Sequence, residues 1–181
     1  MQGYNCNYTN INCIGQDTLP IRSTLLPILL VSDQTHLTNF SGNKKLWPVY
    51  LTLANIHLSI CNKPQSQAWI LVAFLPIPPK RVPNLREFSE AQQSRLALQV
   101  IHGAISYILS PLSNTETADK GLPILYVDET LRHCFLRLST RWLADHMENC
   151  NIYGINTDRC ITCLTPPNAF RDFAQEFPTR P

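Results

Sequence analysis

The sequence predicts an α/β fold built on a mixed sheet, and three observations carry that reading. Short apolar runs bounded by Gly, Asn, Pro or Ser come in succession over residues 24–75. One long stretch of helical period follows from Phe88. Two further strand-like segments come after it, so strands precede and follow a single long helix.

Residues 1–22 are rich in Asn, Thr, Gly and Cys without a clear period and read as an irregular lead-in. Strands are expected at Thr24–Ser32, Trp47–Ala54 and Ala68–Leu75, making a three-stranded meander. The segment P76-I-P-P-K-R-V-P-N84 cannot be regular, because proline lacks an amide donor and restricts the residue before it. From Phe88 to Leu112 the apolar positions Val100, Ile101, Ala104, Ile105, Ile108, Leu109 and Leu112 form one helical stripe, with Ser89 and Gln92 spaced as a capping box. A polar loop, Ser113–Gly121, leads to a short strand, Pro123–Asp128. In Cys134–Asp145 the positions Leu136, Leu138, Thr140, Trp142 and Ala144 alternate with Arg137, Ser139 and Arg141, the period of a strand. Leu131, Phe135, Leu138 and Trp142 also fit a helical stripe, and strand is the favoured reading.

At 181 residues the chain is long enough for one domain with a sizeable core. Hydrophobic residues are 44% and charged ones only 15%, which excludes a disordered, highly charged chain. The apolar runs Leu25–Val31 and Ala68–Pro79 are too short to cross a membrane, and the start M-Q-G-Y-N-C lacks a secretory signal, so an intracellular chain with reduced thiols is expected. Seven cysteines with irregular spacing do not make a disulfide framework, and only Cys160 and Cys163 form a C-x-x-C pair. The net charge of +2 gives no decisive footprint for nucleic acid. Lys44 and Lys45, and Lys80, Arg81 and Arg86 in the proline-rich connection, read equally as solvated loop charges or as phosphate contacts.

Asp33 directly follows the apolar run Leu25–Val31 and Ser32, where it is either a strand cap or a metal-binding carboxylate at a strand end. Asp145 ends the last strand-like segment, and Asp128, after Tyr126-Val127, is a rival for the second acid. Acids at the ends of a central strand and a later neighbour are how an RNase H-like nuclease core begins. The two-residue gap of Cys160 and Cys163 lets both thiolates grip one zinc, but a structural site needs four ligands. Cys150 and His146 are the first candidates to complete it, Cys134 and His133 the next. Thr35 and His36 are placed to touch phosphate or orient Asp33, while Trp47, Pro48, Tyr50, Trp69 and Trp142 read as packing residues.

The stretch S32-D-Q-T-H-L-T-N-F-S-G-N-K-K-L-W-P-V-Y-L-T-L-A-N-I56 resembles the Plavaka transposases of fungal mobile elements, relatives of the CACTA group. Their pattern is a strand, D-K-T-x-L-T, a G-x-K segment and W/Y-P-V-Y-L-T-x-x-N-I. The likeness continues through K63-P-Q-S-Q-A-W-I-L-V-A-F-L-P76, I108-L-S-P-L112, the strand before Asp128, and A144-D-H-M-E-N-C150 with C160-I-T-C163. The last part is similar to the family's A-D-x-P-E-Q-C and C-P-x-C. His36 stands where the family more often has Gln, and Glu129 where it often has Gly.

The resemblance implies a partial RNase H-like transposase domain over residues 23–167, with residues 168–181 as a tail. It implies a DDE-type nuclear enzyme that binds and cuts or joins transposon-end DNA with magnesium or manganese, and that forms a homo-oligomer at full length. Asp33 is then the first acid and Asp145 the second, with Asp128 better read as a hairpin-turn residue, Lys44 and Lys45 as DNA contacts and Cys160 and Cys163 as zinc ligands. The family's third acid lies well beyond the C-x-x-C. Asp172 and Glu176 follow that pair too closely to be it, so a truncated chain, inactive alone, is expected. A non-catalytic DNA- or protein-binding module, or a structural relic, would keep the fold without the metal chemistry.

Overall fold

The computed structural model describes residues 19–37, 44–79, 88–113, 119–169 and 177–179, with the backbone alone at 139–141. Most of the lead-in (1–18), Lys80, Arg81, Arg86, the Thr140 side chain, Asp172 and Glu176 lie outside the described residues.

The elements in chain order are β1 (Ser23–Ser32), β2 (Thr35–His36), β3 (Lys45–Leu46), β4 (Pro48–Leu53), a short helix α1 (Leu58–Cys61) and β5 (Ile70–Phe74). The long helix α2 (Glu90–Leu109), β6 (Leu122–Leu125), β7 (Leu131–Leu143) and α3 (His146–Tyr153) follow. Five strands form one sheet in the order β5-β4-β1-β7-β6, so the expected meander is present and β1 is central. β1 is apolar almost throughout and buries Leu25, Ile28 and Leu30, as a strand covered on both faces does. Pro27 removes one ladder donor from this central strand, and its carbonyl accepts from the Ala54 amide at 2.8 Å.

β6 pairs antiparallel with β7 from Leu122↔Cys134 to Leu125↔Leu131. The strand reading of Cys134–Asp145 therefore holds over the helical one, the observed strand running Leu131–Leu143 between β1 and β6. Gly121, at φ +71°, turns the chain into β6, and a Cβ there would stand 3.0 Å from the Phe135 ring. The first residues of β1 and β7 line one cleft, so these two neighbours run parallel and the sheet is mixed.

The chain divides into two compact units. The first, Met1–Val31, Val49–Ala73 and Tyr107–Trp142, holds most of the sheet and buries Leu25, Ile28, Leu30, Val49, Cys134, Phe135 and Trp142. The second, Ser32–Pro48, Phe74–Ser106 and Leu143–Pro181, holds β2, β3, most of α2 and all of α3, and buries Trp47, Leu75, Ile101, Glu148, Asn149 and Cys150.

At the start of α2 the capping box is reciprocal: the Ser89 amide donates to Gln92 Oε1 at 2.8 Å and the Gln92 amide to Ser89 Oγ at 3.3 Å. Ile101 is the one residue of α2 that is fully buried, and Val100, expected on the stripe, is 53% exposed. It sits at the edge of the stripe, where the helix turns away from cover. Leu138 on β7 is likewise exposed, as are Tyr50 and Trp69, whereas Trp47 and Trp142 are buried as expected.

Candidate functional site

β1 ends in Ser32, and Asp33 is the next residue. Both flanks of Asp33 are held by one side chain. The Ser32 hydroxyl donates to Glu148 Oε2 at 2.8 Å, and the Gln34 amide donates to Glu148 Oε1. The Trp47 indole N–H adds a third donor to Oε2 at 3.0 Å. Glu148 is only 4% exposed, and an ionised carboxylate is tolerated there because its oxygens are supplied with donors.

Glu148 is also tied to Asp145. Asp145 is the N-cap of α3, and its Oδ1 accepts the Glu148 amide at 2.7 Å. D145-H-M-E148 has capping-box spacing, yet the Glu148 carboxylate is spent on the chain around Asp33 rather than on its own helix end. Gly154, at φ +65°, closes α3, with the Ile155 amide on the Cys150 carbonyl at 2.8 Å. Glu148 is thus bonded on two sides: its side chain holds the residues that flank Asp33, and its amide holds the carboxylate of Asp145.

The two acids differ from Glu148 in exposure. The Asp33 carboxylate is exposed and accepts from no described residue, while Thr35 Oγ1 reaches the Asp33 carbonyl at 3.4 Å. Asp145 is exposed and keeps one oxygen uncommitted among the described residues. β2 and β3 pair Thr35 with Leu46 and His36 with Lys45, and the Leu37 amide donates to the Lys44 carbonyl at 2.9 Å. Lys45 Nζ donates to Gln34 Oε1 at 3.1 Å, and Lys44 and His36 are exposed.

Asp128 is occupied elsewhere. It sits in the β6–β7 turn, where its carboxylate accepts from Thr130 Oγ1 at 2.6 Å, the Thr130 amide at 3.1 Å and Arg132 at 2.9 Å. The Thr130 hydroxyl, then the Thr130 amide and Arg132, hold its pKa below the ordinary carboxylate value. This is a hairpin-turn residue, as the sequence suggests.

The donor chemistry at Asp33 and Asp145 fits magnesium, which takes one or two carboxylates and keeps several waters. Among the described residues, however, no three His, Cys, Asp or Glu side chains gather as a metal-holding group. A four-ligand zinc site is therefore not assembled among them. Cys160 Sγ accepts from the Thr162 amide at 3.4 Å, and Cys163 Sγ lies 2.7 Å from Thr165 Oγ1. The first expected completers meet each other instead: Cys150 Sγ is 3.6 Å from His146 Nε2, one helical turn away. Burial, then the charges of Asp145 and Asp158, push the Cys150 thiol up from its ordinary value. Cys134 is buried beneath Tyr126, and His133 bonds the Lys120 carbonyl at 3.0 Å.

The family model described as Plavaka transposase matches residues 4–181. The chain belongs to that family. The Plavaka match takes in the lead-in and the tail as well as the motifs from Ser32 to Cys163. No curated protein and no solved structure matches the chain.

Sequence reasoning on the Plavaka motifs misses Glu148, Ser32 and Trp47 as a unit. Two signals were available: a serine closing an otherwise apolar strand, and a glutamate three residues after an N-capping Asp. Nothing in one sequence pairs positions 116 residues apart.

Proposed function

We propose that this chain supplies the first two acids of a DDE-type, RNase H-like catalytic domain that binds and cuts or joins transposon-end DNA in the nucleus. The observation that carries the reading is the Glu148 tie, which fixes the flanks of Asp33 and the carboxylate of Asp145 to one buried residue. The adjacency of β1 and β7 supports it, since Asp33 and Asp145 follow the ends of these neighbouring strands.

Asp33 and Asp145 would hold magnesium or manganese, which supplies charge stabilisation for an attacking or leaving phosphate oxygen. The protein's own part is to keep two exposed carboxylates at a defined place, with Lys44 and Lys45 nearby as contacts for the DNA backbone. The pair is insufficient for strand transfer without a further acid and self-association. Zinc at Cys160 and Cys163 would need ligands beyond those gathered among the described residues.

The test is manganese-induced line broadening in the amide spectrum of the labelled chain. Broadening centred on residues 32–35 and 144–148, and lost in Asp33→Asn, is expected. Nicking of supercoiled DNA by the chain alone is not. Broadening centred on Asp128, or none at millimolar manganese, would sink the site and leave a non-catalytic binding module.

A further inference from the structure

A cleft of about 590 Å³ lies between the first residues of β1 and β7, lined by Arg22, Ser23, Thr24, Thr130, Leu131 and Arg132. Its lining carries two guanidinium groups and three hydroxyls, and no carboxylate. Arg132 is held in place: it donates to Asp128 Oδ2 at 2.9 Å and to Thr130 Oγ1 at 3.3 Å, and lies 4.2 Å from the centre of the Tyr126 ring. A guanidinium has five N–H donors, so Arg132 keeps donors for a ligand while its orientation is set.

Arg22 stands in a turn closed by the Ser23 amide on the Pro20 carbonyl at 3.0 Å, and its φ is +69°. That position of a turn ordinarily takes glycine, and an arginine there carries backbone strain. No described residue pairs with its guanidinium. Arg22 therefore lines the cleft with a guanidinium unpaired among the described residues, beside the fixed one of Arg132.

We propose that this cleft holds a phosphate of a nucleic-acid strand, contacting the sugar–phosphate backbone and not the bases. The proposal rests on the DNA reading above. Guanidinium forks match phosphate oxygens, and the Thr24 hydroxyl offers a neutral donor beside them, that of Thr130 being spent on Asp128. A cleft this large exceeds the need of one inorganic phosphate and falls in the range of nucleotide-sized ligands. Leu131 is the one apolar lining residue, and the Tyr126 face is taken by Arg132, so nothing there is built to grip a free base.

The experiment is anisotropy of a labelled oligonucleotide, single-stranded and duplex, in EDTA across a salt series. Arg22→Gly and Arg132→Gln should each weaken binding and reduce the slope of log K against log salt by about 0.7 for the single strand and 0.9 for the duplex. Arg22→Gly should melt no lower than the parent, because glycine relieves the positive φ, so its weaker binding is not a folding defect. Arg95→Gln, at an exposed cation of α2 outside both sites, should leave the slope unchanged, which separates the cleft from a general effect of charge. Unchanged slopes in both arginine variants overturn the proposal, as does a parent chain without salt-dependent binding. Displacement of the oligonucleotide by a nucleoside monophosphate or inorganic phosphate at equal concentration overturns the strand assignment.

Discussion

Glu148→Gln keeps the shape of the side chain and removes its charge, and the cost can be worked out from the three donors that meet it. Oε2 accepts from Ser32 and Trp47, and Oε1 from the Gln34 amide. An amide has one oxygen. With that oxygen in the Oε2 position, the new NH₂ faces the Gln34 N–H; with the amide flipped, it faces the Trp47 N–H, and neither group can accept. One buried donor is left unpaired either way, at ~1–3 kcal/mol, and the surviving bonds lose charge assistance worth ~1 kcal/mol more. The expected destabilisation is ~2–4 kcal/mol, or roughly 5–15 °C in melting temperature for a chain of this size.

Urea unfolding followed by tryptophan fluorescence measures it, with a lower midpoint at unchanged m. Ser32→Ala should cost about 1 kcal/mol, and the double variant should fall short of additivity by at least ~0.5 kcal/mol, because both changes strike one network. Asp33→Asn, at an exposed carboxylate that no described residue bonds, should lie within about 0.5 kcal/mol of the parent. A loss under about 0.5 kcal/mol in Glu148→Gln, or strict additivity with Ser32→Ala, would refute the tie on which the proposed site depends.

Two further outcomes follow from the thiols. Cys150 is 1% exposed and its pKa is raised, so its contribution to stability is full below the ordinary thiol value and declines as pH rises through the folded value. Mass-resolved alkylation at pH 8 should label Cys160 and Cys163 first and Cys150 only on unfolding, and the alkaline loss of stability should shrink in Cys150→Ala; rapid native labelling of Cys150 would contradict both. Zinc should bind weakly and be lost to a chromophoric chelator, since among the described residues no third ligand joins Cys160 and Cys163. Stoichiometric, chelator-resistant zinc that disappears in Cys160→Ser would prove this wrong.

What was legible in the sequence is what local chemistry decides. The run Leu25–Val31 announces a buried strand, and the structure makes it the central one. Ser89 and Gln92 announce the start of α2, and the two bonds of the capping box are both made. Asp128 announces a turn because Thr130 follows within reach of its carboxylate. Residues 131–143 were ambiguous because two periods fit one string, and only the place of β7 in the sheet, between β1 and β6, decides between them. Pro27 argues locally against a central strand and is outweighed by the burial of its neighbours.

The candidate site divides along the same line. Asp33 and Asp145 are visible in sequence because each follows a strand and each lies in a motif of the family to which the chain belongs. Glu148 lies in the same motif as Asp145, but its role is not visible there, because that role comes from where it is buried. A carboxylate that takes donors from Ser32, Gln34 and Trp47 has little left to offer a metal, whereas the exposed Asp33 has its full coordination capacity. The burial that gives Glu148 its hold on the strand end is what removes it from the chemistry. On the proposed function the three acids thus separate into one that holds the strand end and two left for a metal, and substitution should sort them the same way: Glu148 by stability, Asp33 and Asp145 by manganese.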